Sequence, residues 1–157
     1  MQRGIDLIEQ AVASGAPPAA TPYRMVGLAK TQQQDYDGAI AAFAEAVALQ
    51  PSDVTSRSEM AALMMIKGQL DEAAEHFQKV LSMAPDHADS LVGLSRIAAK
   101  KSDAGGARKL LKKAVAAAPE HTKVRQLMAR DLLSAGDRDG AREQFLQILR
   151  VSPKDTE

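Results

Sequence analysis

A segment of 15 residues recurs four times along the chain at a constant interval of 34 residues. Each copy carries an alanine, a bulky apolar residue four positions later and a proline eight positions after that. The four copies are DGAIAAFAEAVALQP (37–51), DEAAEHFQKVLSMAP (71–85), GGARKLLKKAVAAAP (105–119) and DGAREQFLQILRVSP (139–153). A fixed period of about 20 to 50 residues is typical of repeat arrays, in which neighbouring copies bury each other's apolar faces.

Each period contains the pattern of two helices joined by a tight turn. In the second period, apolar residues at helical spacing predict a helix over 55–67 that ends at Gly68. A second helix follows and ends before Pro85. The caps predicted for the second helices of the four periods are Asp37, Asp71, either Ser102 or Asp103, and Asp139.

The spacing predicts one continuous array rather than separate domains. Residues 1–19 are expected to hold the second helix of a truncated repeat, over 2–15, in phase with the rest. Four full repeats are expected at 20–53, 54–87, 88–121 and 122–155.

Composition narrows the classes of function. Apolar residues make up 45% of the 157 and charged residues 25%, as in a folded globular protein. There is no cysteine, which excludes disulfides and thiolate metal sites but fits either the bacterial cytoplasm or the periplasm. No apolar run approaches the ~18 residues of a membrane span, and the first ten residues carry acids where a targeting segment has an apolar core.

The net charge is zero, which argues against general binding of polyanions, but the charge is unevenly distributed. Residues 1–87 hold 6 basic and 11 acidic side chains (6 − 11 = −5), and residues 88–157 hold 14 and 9 (14 − 9 = +5). One interpretation is drift along an array. The other is a gradient that orients a partner or favours head-to-tail stacking.

The repeat resembles the tetratricopeptide repeat family, whose 34-residue motif is W-x2-L-G-x2-Y, then A-x3-F, then P. The matching positions of the first repeat are Tyr23, Val26, Gly27, Lys30, Ala39, Phe43 and Pro51. The resemblance implies an all-α fold, a right-handed α-solenoid of antiparallel helix pairs, and a non-enzymatic scaffold for protein–protein interaction. Arg57 and Arg125 stand where the family has a large core residue, which predicts a thinner core there.

In the family, the first helix of each repeat lines a concave groove, so the resemblance also implies a binding surface. Its ligand would be an extended peptide or amphipathic helix with apolar and acidic residues, or this segment would bind none. The residues expected to line the groove are Arg24, Leu28, Ala62, Met65, Val92, Arg96, Lys100, Gln126 and Arg130.

No pattern of residues indicates catalysis, a metal or a cofactor. His87 and His121 fall in loops between repeats, and the paired acids at 35/37 and 137/139 recur at a helix start, which indicates turns and caps. A basic stretch over 100–113 is either a solvated helix face or a surface for an acidic partner. The lack of an aromatic residue near it argues against nucleic acid.

Three hypotheses of function follow. The first is a protein-binding scaffold, as part of a larger bacterial assembly or export protein. The second is a self-associating array that stacks end to end through terminal faces, because Phe145, Ile148 and Leu149 are expected to be exposed on the last helix. The third is a module that recruits substrate for an enzyme domain outside this segment.

Overall fold

The computed structural model describes residues 19–151 together with Asp6 and Gln10. Residues 19–151 form α-helices without any strand. The helix expected over 2–15 lies outside the described residues, apart from Asp6 and Gln10, which are both helical and exposed. The helices of residues 19–151 are α1 (Ala20–Gln32), α2 (Tyr36–Leu49), α3 (Val54–Ile66), α4 (Leu70–Met83), α5 (Ala88–Lys100), α6 (Ala104–Ala117), α7 (Thr122–Ser134) and α8 (Arg138–Val151).

The helices form two compact units, which divide between Ala84 and Pro85. In the first unit α1 packs on α2 and α3 on α4, while α2 also contacts α3. In the second unit α5 packs on α6 and α7 on α8, while α6 also contacts α7. Because three-residue turns join the members of each pair, consecutive helices run antiparallel as helical hairpins.

The apolar faces predicted from the sequence form the cores of the hairpins. In the first unit the ring of Phe43 is fully buried and clusters with Ala39, Met60 and Leu63. A Cβ at Gly27 would lie 2.8 Å from that ring, so this glycine permits the close packing of α1 and α2. The core side chains of the second unit include Leu91, Ile97, Leu111, Ala114, Val124, Met128, Ala129, Leu132 and Ala141.

The hairpin turns correct the predicted helix caps by two residues. The side chain of Asp35 accepts a hydrogen bond from the Gly38 amide at 2.9 Å, and Asp137 accepts one from Gly140 at 2.8 Å. Asp103 caps α6 as expected. The predictions of Asp37, Asp71 and Asp139 as caps are wrong, because the helices begin earlier and place these acids in the first turn. There they face the positive end of the helix dipole.

The first helix of every hairpin is followed by a residue in the left-handed region of backbone conformation. Gly68 and Gly136 occupy this position with φ of 83° and 81°. Gln34 and Ser102 occupy it with φ of 62° and 64°, although a side chain makes this conformation costly. The four residues are 34 positions apart, so one turn geometry is kept whether or not a glycine is present.

Arg57 and Arg125 stand where the family has a large core residue. Each donates a hydrogen bond to the loop that precedes its own helix. Arg57 Nη2 donates a hydrogen bond to the Pro51 carbonyl at 3.2 Å, and Arg125 Nε donates to the Pro119 carbonyl. Arg125 Nη1 also donates to Gln144 Oε1 at 2.9 Å. Polar contacts therefore replace part of the apolar packing at these two positions.

Candidate functional site

The first unit carries four of the residues expected to line a groove. Arg24 and Leu28 lie on α1, and Ala62 and Met65 lie on α3. Leu28 is 43% exposed, whereas the other three are partly buried. All four side chains therefore keep surface that a ligand can reach.

The charge of Arg24 is already used within the fold. Its guanidinium lies 3.6 Å from the carboxylate of Asp53, which is 6% exposed. Asp53 also accepts hydrogen bonds from the amide and the hydroxyl of Ser56, at 3.0 and 2.7 Å, and so caps α3. A buried carboxylate needs such partners, so Arg24 stabilises the α3 cap and has less charge to offer a ligand than its position suggested.

The second unit carries the other five predicted residues. Val92, Arg96 and Lys100 lie on α5, and Gln126 and Arg130 lie on α7. Four of them are exposed, but Val92 is only 9% exposed and belongs to the core. Val92 therefore offers little area to a ligand, which the family position alone did not indicate.

Arg96 and Arg130 line one cavity of about 310 Å³ in the second unit. Residues from α6, which the groove prediction did not include, also line it. The lining residues are Ser95, Arg96, Ala99, Ala107, Leu111, Leu127, Arg130, Asp131 and Ser134. The cavity is thus formed by three helices of one unit, and the two arginines are the lining residues that carry positive charge.

The other polar groups of the cavity have partners within the unit. Arg108 Nε donates a hydrogen bond to Asp131 Oδ2 at 2.5 Å, and this hydrogen bond together with the charge of Asp131 raises the pKa of Arg108. The Ser95 hydroxyl donates to the Val92 carbonyl, and the Ser134 hydroxyl donates to the Asp131 carbonyl. The charge of Asp131 is compensated, and the remaining lining is mainly apolar.

His76 and His87 have roles in the packing and capping of helices. His76 lies partly buried on α4, and its pKa is lowered first by burial and then by the charge of Arg57, against the opposing effects of Glu75 and Glu72. His87 Nδ1 accepts a hydrogen bond from the Ser90 amide at 3.3 Å, at the start of α5. No group of three or more metal-ligating side chains occurs among the described residues.

No helix within the described part of the chain is both long and apolar enough to cross a membrane. The expectation of no membrane insertion concerns the whole protein and stays a prediction.

Sequence comparison supplies the family. Models of the tetratricopeptide repeat match residues 2–54, 64–130 and 98–157, and so cover most of the chain. The chain belongs to the tetratricopeptide repeat family. The search of curated protein sequences returned no match.

Solved structures of other tetratricopeptide repeat proteins share the fold. A crystal structure of MamA superimposes with a TM-score of 0.78 at 16% identity, over 96% of this chain and 88% of MamA. MamA from Desulfovibrio magneticus RS-1 gives 0.72 at 18% identity, over 99% and 97% of the two chains. YrrB, described as a tetratricopeptide repeat protein with an unusual peptide-binding site, gives 0.70 at 22% identity, over 93% and 75%. The predicted all-α solenoid of antiparallel helix pairs is confirmed.

Proposed function

We propose that this tetratricopeptide repeat chain is a protein-interaction module that binds a peptide or helix on the surface of its odd-numbered helices. Proteins of this family are typically non-enzymatic interaction scaffolds, and nothing among the described residues points to catalysis. The observation that carries the proposal is the exposure of apolar side chains on those helices. Leu28, Ile66 and Leu133 are 43%, 60% and 49% exposed.

The charges exposed on those helices set the chemistry of the ligand. On α7 the exposed cation Arg130 lies one turn from the exposed Leu133, and on α5 the cations Arg96 and Lys100 are exposed one turn apart. A peptide with apolar and acidic residues would bury apolar area and place carboxylates beside guanidinium groups. YrrB, which shares the fold, is described as having a peptide-binding site, and this supports a peptide as the ligand. Membership of a larger bacterial assembly or export protein stays a prediction.

A random-peptide display library selected on the purified chain tests the proposal. We expect selected peptides to bind with affinities in the micromolar range, about −8 kcal/mol, and to be enriched in apolar and acidic residues. Leu28→Asp or Arg130→Glu should lower the affinity of the selected peptides, while Arg142→Glu on α8 should leave it unchanged. The proposal would be rejected if no peptide is selected, or if the selected peptides bind the Leu28→Asp and Arg130→Glu variants as tightly as the unmodified chain.

Self-association is the second candidate, and the surface of α8 favours it. Phe145, Leu146 and Leu149 are 44%, 41% and 45% exposed, whereas Ile148, which was also expected to be exposed, is half-buried. Clustered exposed apolar side chains mark interaction surfaces. Light scattering after size exclusion should show a mass that rises with concentration, and Phe145→Gln with Leu149→Gln should abolish the rise. A constant monomer mass at high concentration would reject this candidate.

A further inference from the structure

We propose that the cavity between α5, α6 and α7 is a specificity pocket that takes one apolar side chain of an acidic peptide. Arg96 and Arg130 would contact carboxylates on either side of that side chain. This inference rests on the proposed function and adds to it the ligand chemistry of one place in the second unit.

The size of the cavity limits what it can hold. Its volume of about 310 Å³ is at the lower end of the range of roughly 300–1,000 Å³ that ligand pockets occupy. This space is large enough to receive an aliphatic side chain such as leucine or methionine together with neighbouring atoms of the peptide. Ala99, Ala107, Leu111 and Leu127 provide apolar walls for it.

The interior of the cavity imposes little polar penalty on an apolar group. Asp131 is held by Arg108, and its side chain is 18% exposed. The hydroxyls of Ser95 and Ser134 donate to carbonyls of their own helices. Because these groups keep their partners when the cavity is filled, an entering side chain strips no essential hydrogen bond from them.

The two arginines supply the selectivity for acids. Arg96 and Arg130 are 34 positions apart, so they occupy one repeat position on α5 and α7, and both are exposed. No ion pair engages either of them within the part of the chain that the structure describes. Leu28 and Ala62 occupy the same repeat position in the first unit, so only the second unit has cations there. Forked guanidinium donors favour carboxylates over neutral acceptors.

Fluorescence anisotropy with defined peptides tests the pocket on the full chain. The probe is a fluorescein-labelled peptide with the central sequence Asp-Glu-Leu-Glu-Asp between Gly-Ser flanks. Replacing its leucine by alanine should weaken binding about tenfold, as expected for losing most of a buried aliphatic side chain. Replacing its acids by the corresponding amides should weaken binding about tenfold and remove its salt dependence between about 0.05 and 0.3 M.

Protein variants place the effect in the cavity. Ala99→Leu should narrow the space and reduce the preference for leucine, with an unchanged circular dichroism spectrum and urea midpoint. Arg96→Gln with Arg130→Gln should abolish the preference for acids. Arg142→Gln with Arg150→Gln removes the same charge from α8 and should change neither preference.

The results separate this inference from the proposed function. Peptides selected from the library that require Leu28 or Met65, together with equal binding of the leucine and alanine probes, would overturn the pocket and leave the proposed function standing. Failure of both the library and the probes up to about 1 mM would overturn both. Loss of binding in the α8 control pair would overturn the pocket, because it would show that general charge explains the affinity.

Discussion

Replacing Gln69 with aspartate is expected to stabilise the first unit by capping α4. Gln69 precedes α4 and makes no side-chain cap hydrogen bond, whereas Asp35 at the same repeat position caps α2. The backbone angles agree closely, with φ and ψ of −77° and 65° at Gln69 and −78° and 75° at Asp35. A carboxylate at position 69 would therefore lie within reach of the amide of Glu72, one of the amides that a helix start leaves without an intrahelical acceptor.

Two features reduce the gain below that of an ideal cap. A Cβ at Gly38 would lie 2.2 Å from the carboxylate of Asp35, so an aspartate beside Glu72 must adopt another rotamer. Asp53 shows that one exists, since it bonds the amide of Ser56 at 3.0 Å. The two acids already in the first turn of α4 would repel a third by a few tenths of a kcal/mol. From a usual cap contribution of about 0.5–2 kcal/mol, we expect a net gain of about 0.5–1 kcal/mol.

Urea denaturation followed by circular dichroism measures the change, and amide hydrogen exchange locates it in α4. Gln69→Glu is the matched control, because it adds the same charge near the helix dipole without a side chain short enough to cap. We expect little gain from it. If Gln69→Glu stabilises as much as Gln69→Asp, the helix dipole rather than the cap explains the effect. If neither variant slows exchange in α4, the argument from repeat equivalence is wrong.

Three further predictions concern single side chains. Gly27→Ala should destabilise the first unit by about 1 kcal/mol, because overpacking against Phe43 outweighs the gain in helix propensity. In a double-mutant cycle of urea midpoints, Phe43→Leu should relieve part of this cost. Because burial lowers the folded-state pKa of His76, the folded state binds fewer protons than the unfolded state. The contribution of His76 to the free energy of unfolding should therefore be complete above about pH 6.5 and should fall as the pH decreases below that value. His76→Gln should make the urea midpoint less dependent on pH between about pH 7.5 and pH 5.5. Arg125→Met should lower the free energy of unfolding by about 0.5–1.5 kcal/mol through loss of its bonds to the Pro119 carbonyl and to Gln144, and an unchanged urea midpoint would show that packing of the methionine compensates for both bonds.

The sequence predicted the helical hairpins because the apolar spacing and the terminal prolines both recur every 34 residues. It misplaced the caps of α2 and α8 because acids at 35 and 37, and at 137 and 139, compete for one role. It misplaced the cap of α4 because Gln69, which precedes that helix, makes no side-chain cap hydrogen bond, so Asp71 was the nearest acid. The glycine three residues after Asp35 and Asp137 was the available signal. A Cβ at Gly38 or Gly140 would come within 2.2 or 2.6 Å of the cap carboxylate.

Partners that lie on different helices were beyond the reach of the periodic pattern. Arg24 meets Asp53, and Arg108 meets Asp131, over separations set by packing rather than by helical spacing. The family positions predicted Arg96 and Arg130 as surface residues, but not the cavity beside them, because α6 forms part of its wall.

The left-handed turn residues have a practical consequence for engineering. Each compact unit contains one turn where glycine adopts this conformation freely and one where Gln34 or Ser102 adopts it at a cost of roughly 1–2 kcal/mol. In each unit, a single substitution, Gln34→Gly or Ser102→Gly, should therefore increase stability without changing the surfaces of the odd-numbered helices. A variant stabilised in this way would be a suitable starting point for engineering new ligand specificities in the repeats.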